Sequence, residues 1–115
     1  MAKGGFPGGF GGRGAANLGN LMKQAQKMQR DMEKAQEEIA NTIIEASAGG
    51  GAVKVVLNGN KVFQEIKIDP DVIDPDDVEM LQDLVLAAVN EGLRKADELR
   101  EEKLGSISAG FGGLF

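Results

Sequence analysis

The pattern that most constrains the fold is a long helical repeat over residues 18 to about 40. Apolar residues recur there at alternating spacings of three and four, which is the heptad pattern of a helix with one apolar face. The repeat consists of Leu18, Leu21, Ala25, Met28, Met32, Ala35 and Ile39. Such a helix is about 35 Å long, which exceeds what a domain of this size covers with its own core. Part of it should therefore project or pair with another chain.

Three strands are predicted after this helix. A β-branched run opens the first strand, and Val53, Val55 and Leu57 alternate along one face of the second. The pair Asn58-Gly59 is typical of a two-residue hairpin turn, in which both residues adopt a positive φ. The expected strands are residues 41–48, 52–57 and 61–68, with a glycine turn at residues 49–51. These elements predict a three-stranded antiparallel sheet with helices needed on one face.

A second helix is predicted to begin after the aspartate-rich segment. Asp74 is a candidate N-cap, and Pro75 suits the first helical position. Apolar residues then recur at helical spacing to about residue 104. They are Leu81, Leu84, Val85, Ala88, Val89, Leu93, Ala96 and Leu99. The element order is therefore α-β-β-β-α, and the fold class is α+β.

Glycine-rich segments flank this predicted domain. Residues 1–17 hold seven glycines and one proline, with Phe6 and Phe10 as their only aromatic side chains, a composition that predicts a disordered tail. Residues 105–115 are similar, but Phe111, Leu114 and Phe115 favour local docking. The expected organisation is a tail at residues 1–17, one domain at residues 18–104 and a second tail at residues 105–115.

The composition argues against most enzyme classes. The chain has no cysteine and no histidine, so the commonest nucleophile, general base and metal ligands are missing. The acidic run over residues 69–79 lacks the spacing of a calcium loop, and helix capping accounts for it. No stretch is long and apolar enough for a membrane span or a signal peptide. We therefore expect a non-enzymatic, cytoplasmic protein with no cofactor, no metal and no small-molecule substrate.

The charge is segregated along the chain. Residues 1–30 carry five basic and no acidic residues, whereas residues 31–115 carry the other eight basic and all eighteen acidic residues. Lys23, Lys27, Arg30 and Lys34 stand at spacings of four, three and four, on the helix face opposite the apolar repeat. Such a stripe can follow DNA phosphates. The alternative is an ordinary solvated face, since charge runs usually serve that role.

A weaker basic group lies in the last helix. Its members are Arg94, Lys95, Arg100 and Lys103. They are mixed with acidic residues, a pattern more typical of ion pairs along one helix than of a ligand site. Asn90 lies nearby, beside a stretch of small residues. It is either hydrogen-bonded in the interior or a register-fixing group at a dimer seam.

Five segments of the chain form a recognisable set. They are LMKQAQKMQ at residues 21–29, GGGAVKVVLNG at residues 49–59, IKIDP at residues 66–70, LQDLVLAAVN at residues 81–90, and the final Leu114-Phe115. Together these segments resemble the YbaB/EbfC family of bacterial nucleoid-associated proteins. Gly92, where relatives tend to have alanine, and the N-terminal Phe/Gly segment depart from the family pattern.

The resemblance implies a homodimer whose long helices project and hold double-stranded DNA, with roles in nucleoid organisation and gene regulation. The implied DNA-binding residues are Lys23, Lys27 and Arg30, with Lys34 on the same stripe and Arg94, Lys95 and Arg100 as weaker candidates. The residues expected at the dimer interface are Val53, Val55, Leu84, Ala88 and Asn90. The alternative function is a dimeric adaptor that binds a helix of a replication or repair protein, which Met-rich apolar faces also fit.

Overall fold

A computed structural model describes the backbone of residues 2–110 and the side chains of residues 17–109. Along the chain, one long helix precedes three strands and a second long helix follows them, in the predicted order α-β-β-β-α. The elements are α1 (Ala2–Asn41), β1 (Ile43–Ala48), β2 (Val53–Asn58), β3 (Phe63–Ile68), a 3-10 turn (Pro70–Val72) and α2 (Val78–Gly110). The predicted fold class is confirmed.

The sheet is antiparallel in the order β1-β2-β3. Within it, Ile44 pairs with Leu57, and Val55 pairs with Ile66. Val53, Val55 and Leu57 are buried beneath α2, whereas the alternate residues of β2 face the other side. α2 lies over β1 and β2 but leaves β3 exposed along almost its whole length. Among the described residues, β3 is therefore the strand without a helical cover.

Small residues let α2 approach the sheet closely. Ala88 and Ala96 are fully buried in the core, and Gly92 between them faces Leu57. A Cβ at position 92 would lie 3.0 Å from the Leu57 Cδ2 atom. Burying each Val or Leu of β2 contributes about 2 kcal/mol to folding. Gly92 is thus a packing residue of the helix–sheet interface.

The end of α1 is fixed to the body at two places. Ile39 is fully buried, and its carbonyl oxygen accepts a 3.0 Å hydrogen bond from the Gly59 amide in the loop between β2 and β3. On the other side, the Lys103 ammonium of α2 lies 3.2 Å from the Glu38 carboxylate. α1 therefore packs beside the last turns of α2, in the antiparallel direction.

The start of α2 differs from the predicted one. The helix begins at Val78, and the Asp77 side chain accepts a 3.2 Å hydrogen bond from the Met80 amide, so Asp77 is the N-cap. Asp74 instead accepts a 2.9 Å bond from the Asp76 amide and closes a local turn. The prediction of Asp74 and Pro75 at the helix start was wrong, because this turn satisfies Asp74 before the helix begins.

The hairpin between β2 and β3 also differs from the predicted one. The Asn58 carboxamide oxygen accepts bonds of 2.9 Å and 3.1 Å from the amides of Asn60 and Val62, and the residue with positive φ is Lys61, at 65°. This is a loop of three or more residues that ends in a left-handed residue, not a two-residue turn. Gly59 is required for another reason, which is its contact with Ile39.

The helices extend beyond their predicted limits. α1 begins at Ala2 rather than Leu18, and α2 ends at Gly110 rather than near Leu104. The N-terminal side chains up to residue 16, and residues 111–115 altogether, lie outside the described part. The division into two tails and one domain stays a prediction.

Candidate nucleic-acid interface

Lys23, Lys27 and Arg30 form a basic face on the N-terminal part of α1. All three side chains are exposed, and they cover about 10 Å of the helix. No acidic residue lies between positions 17 and 30, so this stretch presents positive charge only. We call residues 17–30 of α1 the arm. Its basic face can follow a row of phosphates, which carry one negative charge per few ångströms of duplex.

Lys34 lies on the same stripe but in different surroundings. It borders a groove between α1 and α2 that is also lined by Asp31, Glu38 and Glu102. These carboxylates offset its charge and would repel a phosphate. Lys34 therefore marks the inner limit of the basic face.

Arg94 of α2 is occupied by two carboxylates of its own helix. Its Nε and Nη2 atoms donate to the Glu91 carboxylate at 3.1 Å and 2.6 Å, and its Nη1 atom donates to Glu98. The hydrogen bond with Glu91 raises the pKa of Arg94 and lowers the pKa of Glu91. The side chain is exposed, so these pairs add little stability. They do cancel the positive charge that a phosphate would need.

Lys95 and Arg100 are far from the arm. The Lys95 ammonium donates a 2.9 Å hydrogen bond to the Glu45 carbonyl oxygen at the free edge of β1. Arg100 is exposed, near the level at which α1 ends. From Lys23 to that level is roughly 27 Å along the helix axis. The structure thus does not bring the two predicted basic groups into one surface.

Elsewhere on the described surface, basic side chains are mixed with acidic ones. Lys61 pairs with Asp97 at 2.6 Å, and Lys67 pairs with Glu65 at 3.4 Å. The aspartates that precede α2 are exposed: Asp69 and Asp74 close local turns, and Asp77 caps α2. Among the described residues, no group of three acidic side chains is arranged to hold a metal ion. The arm is therefore the described surface with unmixed positive charge.

The residues predicted at a dimer interface fall into two groups. Val53, Val55 and Ala88 are completely buried within one chain, so they have no surface left for a partner. Leu84 packs against the same core and is half-buried, whereas Asn90 is exposed. Burial in the chain's own core accounts for the first three without a second copy.

An exposed apolar flank lies beside this core. Phe63 and Ile66 of β3 are 39% and 50% exposed, and Val89 of α2 borders the same shallow pocket. Leu86, 60% exposed, lies one turn before Val89 and one turn before Asn90. We call Phe63, Ile66, Leu86 and Val89 the β3 flank. Sequence reasoning missed it, although the apolar residues of β3 were a visible signal.

No helix within the described residues combines the length and the hydropathy needed to cross a membrane.

Comparison with known proteins gives a consistent result. A model of the YbaB/EbfC DNA-binding family matches residues 14–111. A nucleoid-associated protein of Ruminiclostridium cellulolyticum is 63% identical over 115 residues, covering 99% of this chain and 96% of its own length. One from Acetivibrio thermocellus is 64% identical over 114 residues, with the same coverage of 99% and 96%. The crystal structure of an uncharacterized protein from Helicobacter pylori is similar with a TM-score of 0.61 and 28% identity, covering 76% of this chain and 88% of that one.

Proposed function

The chain belongs to the YbaB/EbfC DNA-binding family, and we propose that it binds double-stranded DNA largely through the phosphate backbone. The family consists of bacterial nucleoid-associated proteins and is not enzymatic, as predicted. We further propose that binding alters the conformation of the duplex in the cytoplasm, at the nucleoid, with effects on nucleoid organisation and gene expression.

The single observation that carries this proposal is the arm's unmixed positive charge on an acidic protein. Lys23, Lys27 and Arg30 are exposed on one face, with no carboxylate between positions 17 and 30. The body mixes basic residues with acidic ones, as in the Lys61–Asp97 and Lys67–Glu65 pairs, and it carries exposed aspartates. An acidic body repels DNA and a basic arm attracts it, so contact should be confined to the arm.

Affinity for a fluorescent duplex, measured over a range of salt concentrations, tests the proposal. Phosphate contacts release counterions, so the logarithm of the affinity should fall linearly with the logarithm of the salt concentration. Three contacts on each of two arms predict a slope of about −5. The slope should be the same for duplexes of unrelated sequence. Binding that is independent of salt, or absent at low salt, would contradict backbone recognition.

We also propose that two copies associate through the β3 flank. Exposed Phe63 and Ile66 border the same shallow pocket as half-buried Val89, and exposed Leu86 lies one turn before Val89 on α2. Clustered exposed apolar side chains are typical of interaction surfaces. The outer edge of β3 has no pairing strand in the part of the chain that the structure describes. Asn90 next to Leu86 could fix the register of such an interface. A dimer would carry two arms and double the number of phosphate contacts.

Replacing Ile66 with aspartate is expected to raise the dimer dissociation constant by at least 100-fold. A carboxylate buried at an interface without a partner costs several kcal/mol, about enough for this effect. The monomer should stay folded, because Ile66 is half exposed within one chain. Sedimentation equilibrium measures the mass directly.

Ile43→Asp is the matched control, because Ile43 is similarly exposed but lies on the opposite edge strand. It should leave the dimer intact. If Ile43→Asp dissociates the dimer and Ile66→Asp does not, the interface lies at β1. A monomeric parent protein would refute the dimer itself.

A further inference from the structure

Within the described residues, the apolar face of α1 is covered at one end only. Ala35 and Ile39 are buried, and Met28 and Met32 are half-buried on the same face. Leu21 and Leu18 continue this face at the heptad spacing, yet they are 50% and 58% exposed. The side chains are as apolar as those of the covered end. The difference in burial along α1 therefore comes from packing by α2 and not from the apolar character of the residues.

The cover ends because α2 ends. Lys103 lies beside Glu38, and Ile107 borders the same groove as Asp31 and Ala35. Both helices rise 1.5 Å per residue, and they run in opposite directions, so Gly110 lies roughly level with residues 28–31 of α1. The end of α2 thus points along the apolar face toward Leu21 and Leu18.

The five residues that follow have the composition and reach to continue the cover. Residues 111–115 read Phe-Gly-Gly-Leu-Phe and lie outside the described part of the chain. Fully extended, five residues span about 17 Å. From the level of Gly110, Leu21 lies about 11–15 Å and Leu18 about 15–20 Å further along α1, so the segment covers Leu21 and its last side chain reaches Leu18. The two glycines disfavour continuation of the helix and allow an extended path. Three large apolar side chains, with no charged side chain among them, would then lie against the apolar face of α1.

We propose that residues 111–115 dock on the apolar face of the arm in their own chain, covering Leu21 and Leu18. Attachment to α2 keeps this segment beside its site at a high effective concentration, which favours it over the arm of a second copy. Docking stiffens the part of α1 that projects beyond α2. It leaves the opposite, basic face of the arm open. The proposal requires neither DNA binding nor dimerisation.

Disulfide trapping tests the contact, because the chain has no cysteine of its own. Under mild oxidation the variant Leu21→Cys, Leu114→Cys should form a disulfide within one chain. The control Lys23→Cys, Leu114→Cys places the first thiol on the opposite face and should react at least about 10-fold more slowly, since a disulfide needs Cα atoms within about 7 Å. Equal rates for the two pairs would overturn the proposal.

Isotope labelling separates contact within a chain from contact between chains. When ¹⁴N-labelled and ¹⁵N-labelled chains are mixed before oxidation, the disulfide should join cysteines of one label only. Mixed-label products between Leu21→Cys and Leu114→Cys would show a segment exchanged between copies. Mixed-label products between two Leu21→Cys positions would show paired arms. Either of these results would overturn docking within one chain.

Hydrogen exchange provides a readout that does not depend on disulfide geometry. In the variant Phe111→Ser, Leu114→Ser, Phe115→Ser, amides of residues 18–28 should exchange about 10-fold faster than in the parent, because a helix end without packing opens locally. Amides of β2 should not change. Unchanged exchange over residues 18–28 would overturn the proposal, whatever the DNA affinity of the variant.

Discussion

Reversing the charge of both Lys23 and Lys27 to glutamate is expected to lower the affinity for duplex DNA by on the order of 100-fold at about 0.1 M salt. The two residues lie on the exposed basic face of the arm. In a dimer the double variant removes four of the six expected contacts, so the salt slope should fall from about −5 to about −2. The loss should be equal for all duplex sequences. Fluorescence anisotropy at several salt concentrations measures both quantities.

A matched control separates the site from the net charge of the protein. Lys54→Glu, Lys67→Glu makes the same change in charge on exposed residues of the outer sheet face. It should leave the affinity within about threefold of the parent, because distant charges are screened at this salt concentration. Equal losses in both variants would mean that overall charge, and not the arm, governs binding. An unchanged affinity of Lys23→Glu, Lys27→Glu would place the interface elsewhere.

Arg94 should contribute much less to DNA affinity than the basic residues of the arm, and the sequence alone indicates why. Glu91 and Glu98 stand three residues before and four residues after it, which are the spacings at which side chains of one helix meet. The bond from Lys95 to Glu45 could not be foreseen in the same way. It joins residues fifty positions apart, and only the packing of α2 on β1 brings them together.

The spacing of apolar residues was sufficient to predict the order of the helices and strands and the core residues of β2. The alternation of β2 identified Val53, Val55 and Leu57 as one face, and all three are buried. The same apolar character could not distinguish the core of one chain from an interface between two. Val53 and Val55 were therefore expected at a dimer interface although they lie beneath α2. The distinction depends on the width of α2 relative to the sheet, which leaves β3 uncovered.

The turns and helix caps could be predicted only in part from the sequence. Three aspartates between residues 74 and 77 each suit a helix N-cap, and the competition between turn and helix selects Asp77. In the hairpin, Asn58 organises the loop through its side chain, so the left-handed position moves to Lys61. Gly59 was correctly placed in a turn. Its contact with α1 joins residues distant in the sequence, so the residues beside Gly59 could not predict it.

That contact makes Gly59→Ala the substitution with the largest expected effect on stability. A Cβ at position 59 would lie 2.1 Å from the Ile39 carbonyl oxygen and 2.8 Å from its carbonyl carbon. These are backbone atoms, so no side-chain rotation can relieve the overlap. The end of α1 must move away from the hairpin, and the hydrogen bond from Gly59 to Ile39 is then lost. We expect a loss of about 3 kcal/mol in the free energy of unfolding, from overpacking and the broken bond.

Urea denaturation followed by circular dichroism, at a fixed protomer concentration, measures this loss. A fixed concentration is needed because association would stabilise the folded state by mass action. Gly105→Ala is the control, since nothing lies within 4 Å of a Cβ built there and the residue is within α2. Alanine should stabilise that helix by up to about 1 kcal/mol. The two substitutions therefore change stability in opposite directions although the added methyl group is the same. An unchanged urea midpoint for Gly59→Ala would mean that α1 is not held against the hairpin, and the arm would then lack a fixed direction relative to the body.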